Sequence, residues 1–169
     1  KMIALQHPVS VLAQAALAAG DPLTAFVRRQ ATDEPLDYDA VNDADLDWAQ
    51  SILGSVGIVV RVPERQLDAV TGLAGSGPAY LFLVAEALTE AGVLAGLSRA
   101  NSEALVTQLF VGSSALLEAE GNPAQLRANV TSPGGTTAAA VRTLEFKAVR
   151  SAYIEAVAAA VERSRQLGR

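Results

Sequence analysis

The chain has 169 residues, half of them hydrophobic, and a net charge of −5 from 13 basic and 18 acidic side chains. That length allows one domain, or a small domain with an appended arm, and the apolar half supplies a core that argues against disorder. No Lys/Arg cluster marks a nucleic-acid groove. The absence of cysteine excludes disulfides and thiolate zinc sites, and the single histidine, His7, cannot build a histidine metal site alone.

Much of the apolar content is alanine, which favours helix and lets helices approach closely, so a mainly helical bundle is expected. No apolar run in the sequence reaches the roughly 18–20 residues of a membrane span. Nor does the opening Lys1-Met2-Ile3-Ala4-Leu5-Gln6-His7 carry the long apolar stretch of a secretion signal. The expectation is a soluble, cytoplasmic chain that binds neither nucleic acid nor membrane.

In chain order, Pro8 to Ala19 reads as a helix stopped by Gly20. Ala31 to Asp47 is acidic and turn-rich, and reads as an exposed linker. Asp43 to Val56 returns to helix, with Leu46, Ala49, Leu53 and Val56 on one side and Gly57 as its end. Ile58 to Val62 is the only convincing strand, β-branched and closed by Pro63. Glu64 to Leu73 forms a further helical turn before a break at Gly75-Ser76-Gly77-Pro78.

From there the pattern is helical throughout. Ala79 to Ala95 ends in a Gly96 cap followed by Leu97, and Ser98 caps the next helix. That helix carries Leu105, Leu109, Gly112 and Leu116 on one face and stops near Gly121. Asn122-Pro123 starts a short helix to about Asn129, another runs from Thr136 to about Glu145, and the last spans Val149 to Leu167. Several of these helices are apolar over more than half their circumference, and intertwined dimerisation is the plain way to cover such faces.

Two segments could carry chemistry. In Val130-Thr131-Ser132-Pro133-Gly134-Gly135-Thr136-Thr137, two glycines let successive amides point into one concavity at a helix start, and the hydroxyls of Ser132, Thr136 and Thr137 can complete it. Such a turn holds a carboxylate or phosphate without Lys or Arg; it also reads as an ordinary capped Pro-Gly turn. The glycines of Gly72-Leu73-Ala74-Gly75-Ser76-Gly77-Pro78-Ala79-Tyr80 allow close approach of a flat ring or a neighbouring helix, or mark only a helix break. This is not a dinucleotide fingerprint, because Tyr80 stands where the third glycine should be. It is not a nucleophile elbow either, because Ala74 and Pro78 flank Ser76. Glu118 and Glu120, two apart at a helix end, read as solvated surface charge.

Taken together, Leu67 to Leu73, Gly75-Ser76-Gly77-Pro78-Ala79-Tyr80 and Val130 to Thr137 resemble pyrroline-5-carboxylate reductase, the last enzyme of proline biosynthesis. Glu86-Ala87-Leu88, Gly96-Leu97-Ser98-Arg99, Asn122-Pro123-Ala124-Gln125-Leu126 and Glu162-Arg163-Ser164 fit the same family. The resemblance implies an N-terminal Rossmann domain for NADPH or NADH and a C-terminal helical domain that interlocks with a second copy, with possible growth to a larger oligomer. It implies hydride transfer to the C=N carbon of 1-pyrroline-5-carboxylate, giving L-proline, with no metal. By that likeness, Ser132, Gly134, Gly135, Thr136 and Thr137 hold the substrate carboxylate, and Thr137 also reaches the ring nitrogen as the catalytic residue. Thr71 and Glu120 border the substrate, and Gly75, Ser76, Gly77 and Pro78 border the nicotinamide.

The likeness places a helical dimerisation and substrate domain at residues 63–169. It leaves residues 1–62 as an N-terminal segment, unmatched to 41 and similar from 43 to the last helix and strand of a Rossmann domain. No G-x-G-x-x-G occurs in the sequence. Three arrangements accommodate this: part of a full reductase, a non-redox dimerisation or proline-like ligand-binding module, or a reductase whose nucleotide domain comes from another chain. A smaller departure is Glu145-Phe146-Lys147-Ala148-Val149-Arg150, where the family has a Gly-Gly-Phe-Arg turn: Arg150 is kept and the glycines are gone.

Overall fold

In the computed structural model, residues 2–4, 43–55 and 57–168 are described. The helix expected at Pro8 to Ala19 and most of the acidic linker lie outside these residues. The chain divides into two compact units, Lys1–Gly75 with Ser164–Arg169, and Ser76–Arg163. The described residues are mainly helical, as the alanine-rich composition implies.

In the first unit, β1 (Met2–Ala4) pairs antiparallel with β2 (Val59–Arg61), with Ile3 opposite Val60. The β2 segment is therefore not the only strand. Met2-Ile3-Ala4 is too short for alternation to reveal it, and only pairing makes it a strand. Helix α1 (Asp43–Leu53) takes in the C-terminal end of the expected linker. It stops at Gly54, whose amide donates to the Gln50 carbonyl at 2.8 Å, earlier than the Gly57 read from sequence. Arg61 ties β2 to α1, donating from Nε to Gln50 Oε1 at 2.7 Å and pairing with Asp47.

Pro63 closes the strand segment, and its carbonyl accepts from the Gln66 amide to open a 3-10 turn, Glu64–Gln66. This turn leads into α2 (Leu67–Val70) and a π-helical turn, Thr71–Gly75, around the buried Gly72. The expected break at Gly75–Pro78 shrinks to Ser76 alone, because proline in the first helical turn forfeits no intrahelical bond. Glu64–Leu94 is consequently one helical stretch, long and apolar enough by length and composition to cross a membrane. Sequence inspection misses this by ending the run at the glycines.

The second unit holds α3 (Gly77–Leu94), α4 (Arg99–Glu120), α5 (Pro123–Asn129), α6 (Thr136–Phe146) and α7 (Val149–Leu167), whose last turn belongs to the first unit. Its caps follow the sequence closely. Gly96, at φ 102, donates to Val93 O while Leu97 N donates to Gly92 O, both at 3.0 Å, which is a Schellman motif. Ser98 Oγ accepts from Asn101 N, Asn122 Oδ1 accepts from Gln125 N, and Gly121 ends α4 in the left-handed region. Between α6 and α7 the chain turns without glycine: Ala148 adopts φ 54.

Helices α3 and α4 form a hairpin in which Ser102 is fully buried beside Gly92 and Val106 is the one buried hydrophobic side chain among the described residues. Large apolar side chains remain uncovered, including Phe82 and Leu83 at 67 % and Leu94 at 88 % exposure. Among the described residues, much of the apolar helix surface is thus exposed.

Candidate functional site

The Ser132–Thr137 segment is built by the end of α5 and the start of α6. Thr131 seals the end of α5, its amide donating to Ala128 O and its hydroxyl to Arg127 O. Ser132 to Gly135 then makes a tight turn in which Gly135 N donates to Ser132 O at 3.1 Å. Proline sits second in that turn and Gly134, third, has φ 71, the arrangement that a type II turn requires. Gly135 is extended, at φ −79 and ψ 174, so freedom of φ is not why glycine stands there. Space is: a Cβ at Gly135 would collide with Ser132 Oγ and lie 3.2 Å from Ser132 O. The two glycines thus have separate tasks, one turning the chain and one letting the Ser132 hydroxyl fold over the helix start.

No side chain caps α6, and its first intrahelical bond runs from Ala139 N to Gly135 O. The amides of Thr136, Thr137 and Ala138 therefore precede any intrahelical acceptor and sit at the positive end of the helix dipole. Ser132 and Thr136 are exposed and Thr137 is half-buried. One short turn thus gathers three hydroxyls and a row of amides, suited to an anion and carrying no acid or base of its own.

The remaining candidates sit elsewhere. Thr71 opens the π-helical turn, its amide donating to Asp68 O and Leu67 O, and Gly75 closes the same turn. Ser76, Gly77 and Pro78 start α3 in the other unit. A Cβ at Gly77 would meet nothing within 4 Å, and one at Gly75 would make only an ordinary contact with Thr71 Cγ2 at 3.7 Å. Neither glycine is demanded by packing among the described residues. Glu120 is the last residue of α4; its carboxylate is exposed, and among the described residues no hydrogen bond joins it to the Ser132–Thr137 turn.

At the far end of α6, Arg150 Nε donates to both Glu145 oxygens, at 2.7 and 2.9 Å. That bond holds the Glu145 carboxyl below the usual glutamate range and raises Arg150. Among the described residues no group of acidic or histidine side chains could hold a metal. Three features escaped the sequence reading: the bond between Asp68 and Ser164, the contact of Gly92 with Ser102, and the left-handed Ala148. Neither pair shares a sequence motif that would announce it, whereas the missing glycines of Glu145–Arg150 mark the place of the turn at Ala148.

Residues 64–167 match the family model described as pyrroline-5-carboxylate reductase dimerisation. A pyrroline-5-carboxylate reductase of Synechocystis sp. is 54 % identical over 130 residues, covering 76 % of this chain and 49 % of the relative. One from Corynebacterium melassecola is 45 % identical, covering 76 % and 48 %. Among solved structures, the reductase of Coxiella burnetii superposes with a TM-score of 0.71 at 41 % identity, over 75 % of this chain and 48 % of that one. The Plasmodium falciparum enzyme, solved with NADP bound, gives 0.70 at 38 % identity, over 77 % and 53 %. The chain spans about half the length of the curated relatives it matches. With well over half of its residues inside the matched model, the chain belongs to the pyrroline-5-carboxylate reductase family and carries that family's dimerisation domain.

Proposed function

We propose that this chain supplies the substrate-holding and dimerisation part of a pyrroline-5-carboxylate reductase, which reduces 1-pyrroline-5-carboxylate to L-proline with NADPH or NADH. The observation that carries this reading is the uncapped start of α6, roofed by Ser132 and made possible by Gly134 and Gly135, in a chain of this family. In this reading the substrate carboxylate accepts from the amides of Thr136 and Thr137 and from the Ser132 and Thr137 hydroxyls. Held there, the ring is fixed in one orientation, and positioning rather than acid–base chemistry is what the turn contributes.

Thr137 is the catalytic residue of the proposal, reaching the ring nitrogen, which is basic enough to carry its own proton. The nicotinamide, when bound, supplies a hydride to the C=N carbon; the C=N π pair becomes the nitrogen lone pair of the amine. Gly75, Ser76, Gly77 and Pro78 border the nicotinamide, and the open space over Gly77 fits the approach of a flat ring. Thr71 and Glu120 border the substrate.

The domain plan in this reading is a helical dimerisation and substrate domain at 63–169, preceded by a segment that resembles the end of a nucleotide-binding domain from residue 43. The chain works as a homodimer, or a larger oligomer built from it, in the cytoplasm. The apolar stretch Glu64–Leu94 starts the matched dimerisation model, so we assign its apolar faces to helix packing rather than to lipid. NADPH and NADH oxidation with 1-pyrroline-5-carboxylate, run beside L-proline titration, tests the proposal. Turnover, or saturable L-proline binding without turnover, supports it. A folded chain that does neither overturns it.

A further inference from the structure

The Glu64–Leu94 stretch changes geometry repeatedly before α3 begins: a 3-10 turn at Glu64–Gln66, α2 at Leu67–Val70, then the π-helical turn at Thr71–Gly75. The change to π geometry starts at Thr71, whose amide is shared between the carbonyls of Leu67 and Asp68. Single π-helical turns are rare and concentrate at functional sites. This one carries two of the candidate residues close together. A Cβ on the exposed Gly75 would lie 3.7 Å from Thr71 Cγ2, so the Thr71 side chain lies alongside that glycine.

Asp68 is tied at both ends. Its carbonyl accepts from the Thr71 amide, and its carboxylate accepts from the Ser164 hydroxyl at 2.7 Å. Asp68, Thr71, Gly75 and Ser164 all belong to the first compact unit. Asp68 and Ser164 are both half-buried, where a hydrogen bond to a carboxylate meets less competition from water than at the open surface. Any shift of Asp68 carries with it an acceptor of the amide at which the π turn begins.

We propose that Ser164 and Asp68 are positioning residues for the reductase reaction. Their bond fixes α2, and through the Asp68 carbonyl it fixes where Thr71 and Gly75 stand. Neither residue touches a ligand in this role; both act through Thr71. The inference rests on the reading of Thr71 as a border of the substrate and Gly75 as a border of the nicotinamide.

Calorimetric titration of L-proline into the chain, Ser164→Ala, Thr71→Ala and the double variant tests this, with folding checked by circular dichroism. Ser164→Ala is expected to raise the dissociation constant about threefold to tenfold, and to change it less than about 1.5-fold when added to Thr71→Ala, because the effect runs through Thr71. Ser164→Thr keeps the hydroxyl and is expected to stay within about twofold of the parent. Ser164→Cys, close to serine in shape but a weak donor, replaces Ser164→Ala with the same expectation if the alanine variant fails to fold. A folded Ser164→Ala chain that binds as tightly as the parent overturns the positioning role and leaves the substrate reading intact. So does an equal loss in both backgrounds, the mark of a merely structural bond. A folded parent that neither binds L-proline nor turns over overturns both.

Discussion

The Ser164 hydroxyl donates to the Asp68 carboxylate at 2.7 Å, joining residues 96 positions apart. It fastens the last turn of α7 to α2, one helical turn before the π-helical turn that begins at Thr71. Arg165 stands 4.0 Å from the same carboxylate, too loose to add much at an exposed position.

Removing that bond leaves Asp68 partly buried without its donor. We predict that Ser164→Ala lowers stability by about 1–2 kcal/mol, the scale of a hydrogen bond to a charged group. Urea denaturation measures it, and an unchanged midpoint would show that water replaces the hydroxyl at no cost.

Ala148 holds a left-handed backbone at φ 54 where an alanine Cβ is crowded. Ala148→Gly should stabilise the chain by about 1 kcal/mol, because relief of the left-handed strain exceeds the entropy that glycine gains on unfolding. Thermal unfolding shows this as a rise in Tm; a fall would mean that the turn tolerates alanine without strain.

Gly92→Ala would place a methyl 2.6 Å from Ser102 Oγ and 3.2 Å from its Cβ. Both helices are fixed there by the Schellman turn, so the clash spreads the hairpin, and we expect a loss of about 1–3 kcal/mol. The control is Gly77→Ala, where the added methyl meets open space. Equal stabilities for the two variants would refute the close contact.

Arg150 lowers the Glu145 pKa, chiefly through its side-chain hydrogen bond. A depressed folded value means that the pair's contribution is present above the unfolded glutamate pKa, about 4.3, and is lost as pH falls through the folded value. Carboxyl NMR titration should place the Glu145 midpoint below that range, and Arg150→Ala should move it upward. A midpoint indifferent to Arg150 would dissolve the pair.

The helical half of the molecule was legible because its boundaries are written in local chemistry. Ser98, Gly121 and Asn122 act where their side chains or φ freedom allow, and α7 runs over the span that its apolar periodicity indicates. The Ser132–Thr137 turn was legible for the same reason, since proline fixes one central position and glycine alone readily takes the positive φ of the next, as a type II turn requires. What escaped was non-local or permissive. Met2–Ala4 becomes a strand only by pairing with Val59–Arg61, and the Gly75–Pro78 glycines permit a break without forcing one. Asp68 and Ser164 meet only once the chain has folded.

The most direct test of the account is calorimetric titration of L-proline into the chain and into Thr137→Ala. If the turn at the start of α6 holds the carboxylate, the parent shows saturable binding and the variant binds about 5–30-fold more weakly, the equivalent of 1–2 kcal/mol for one charge-assisted hydrogen bond. Saturable binding of equal strength in both proteins would contradict it and place the carboxylate elsewhere.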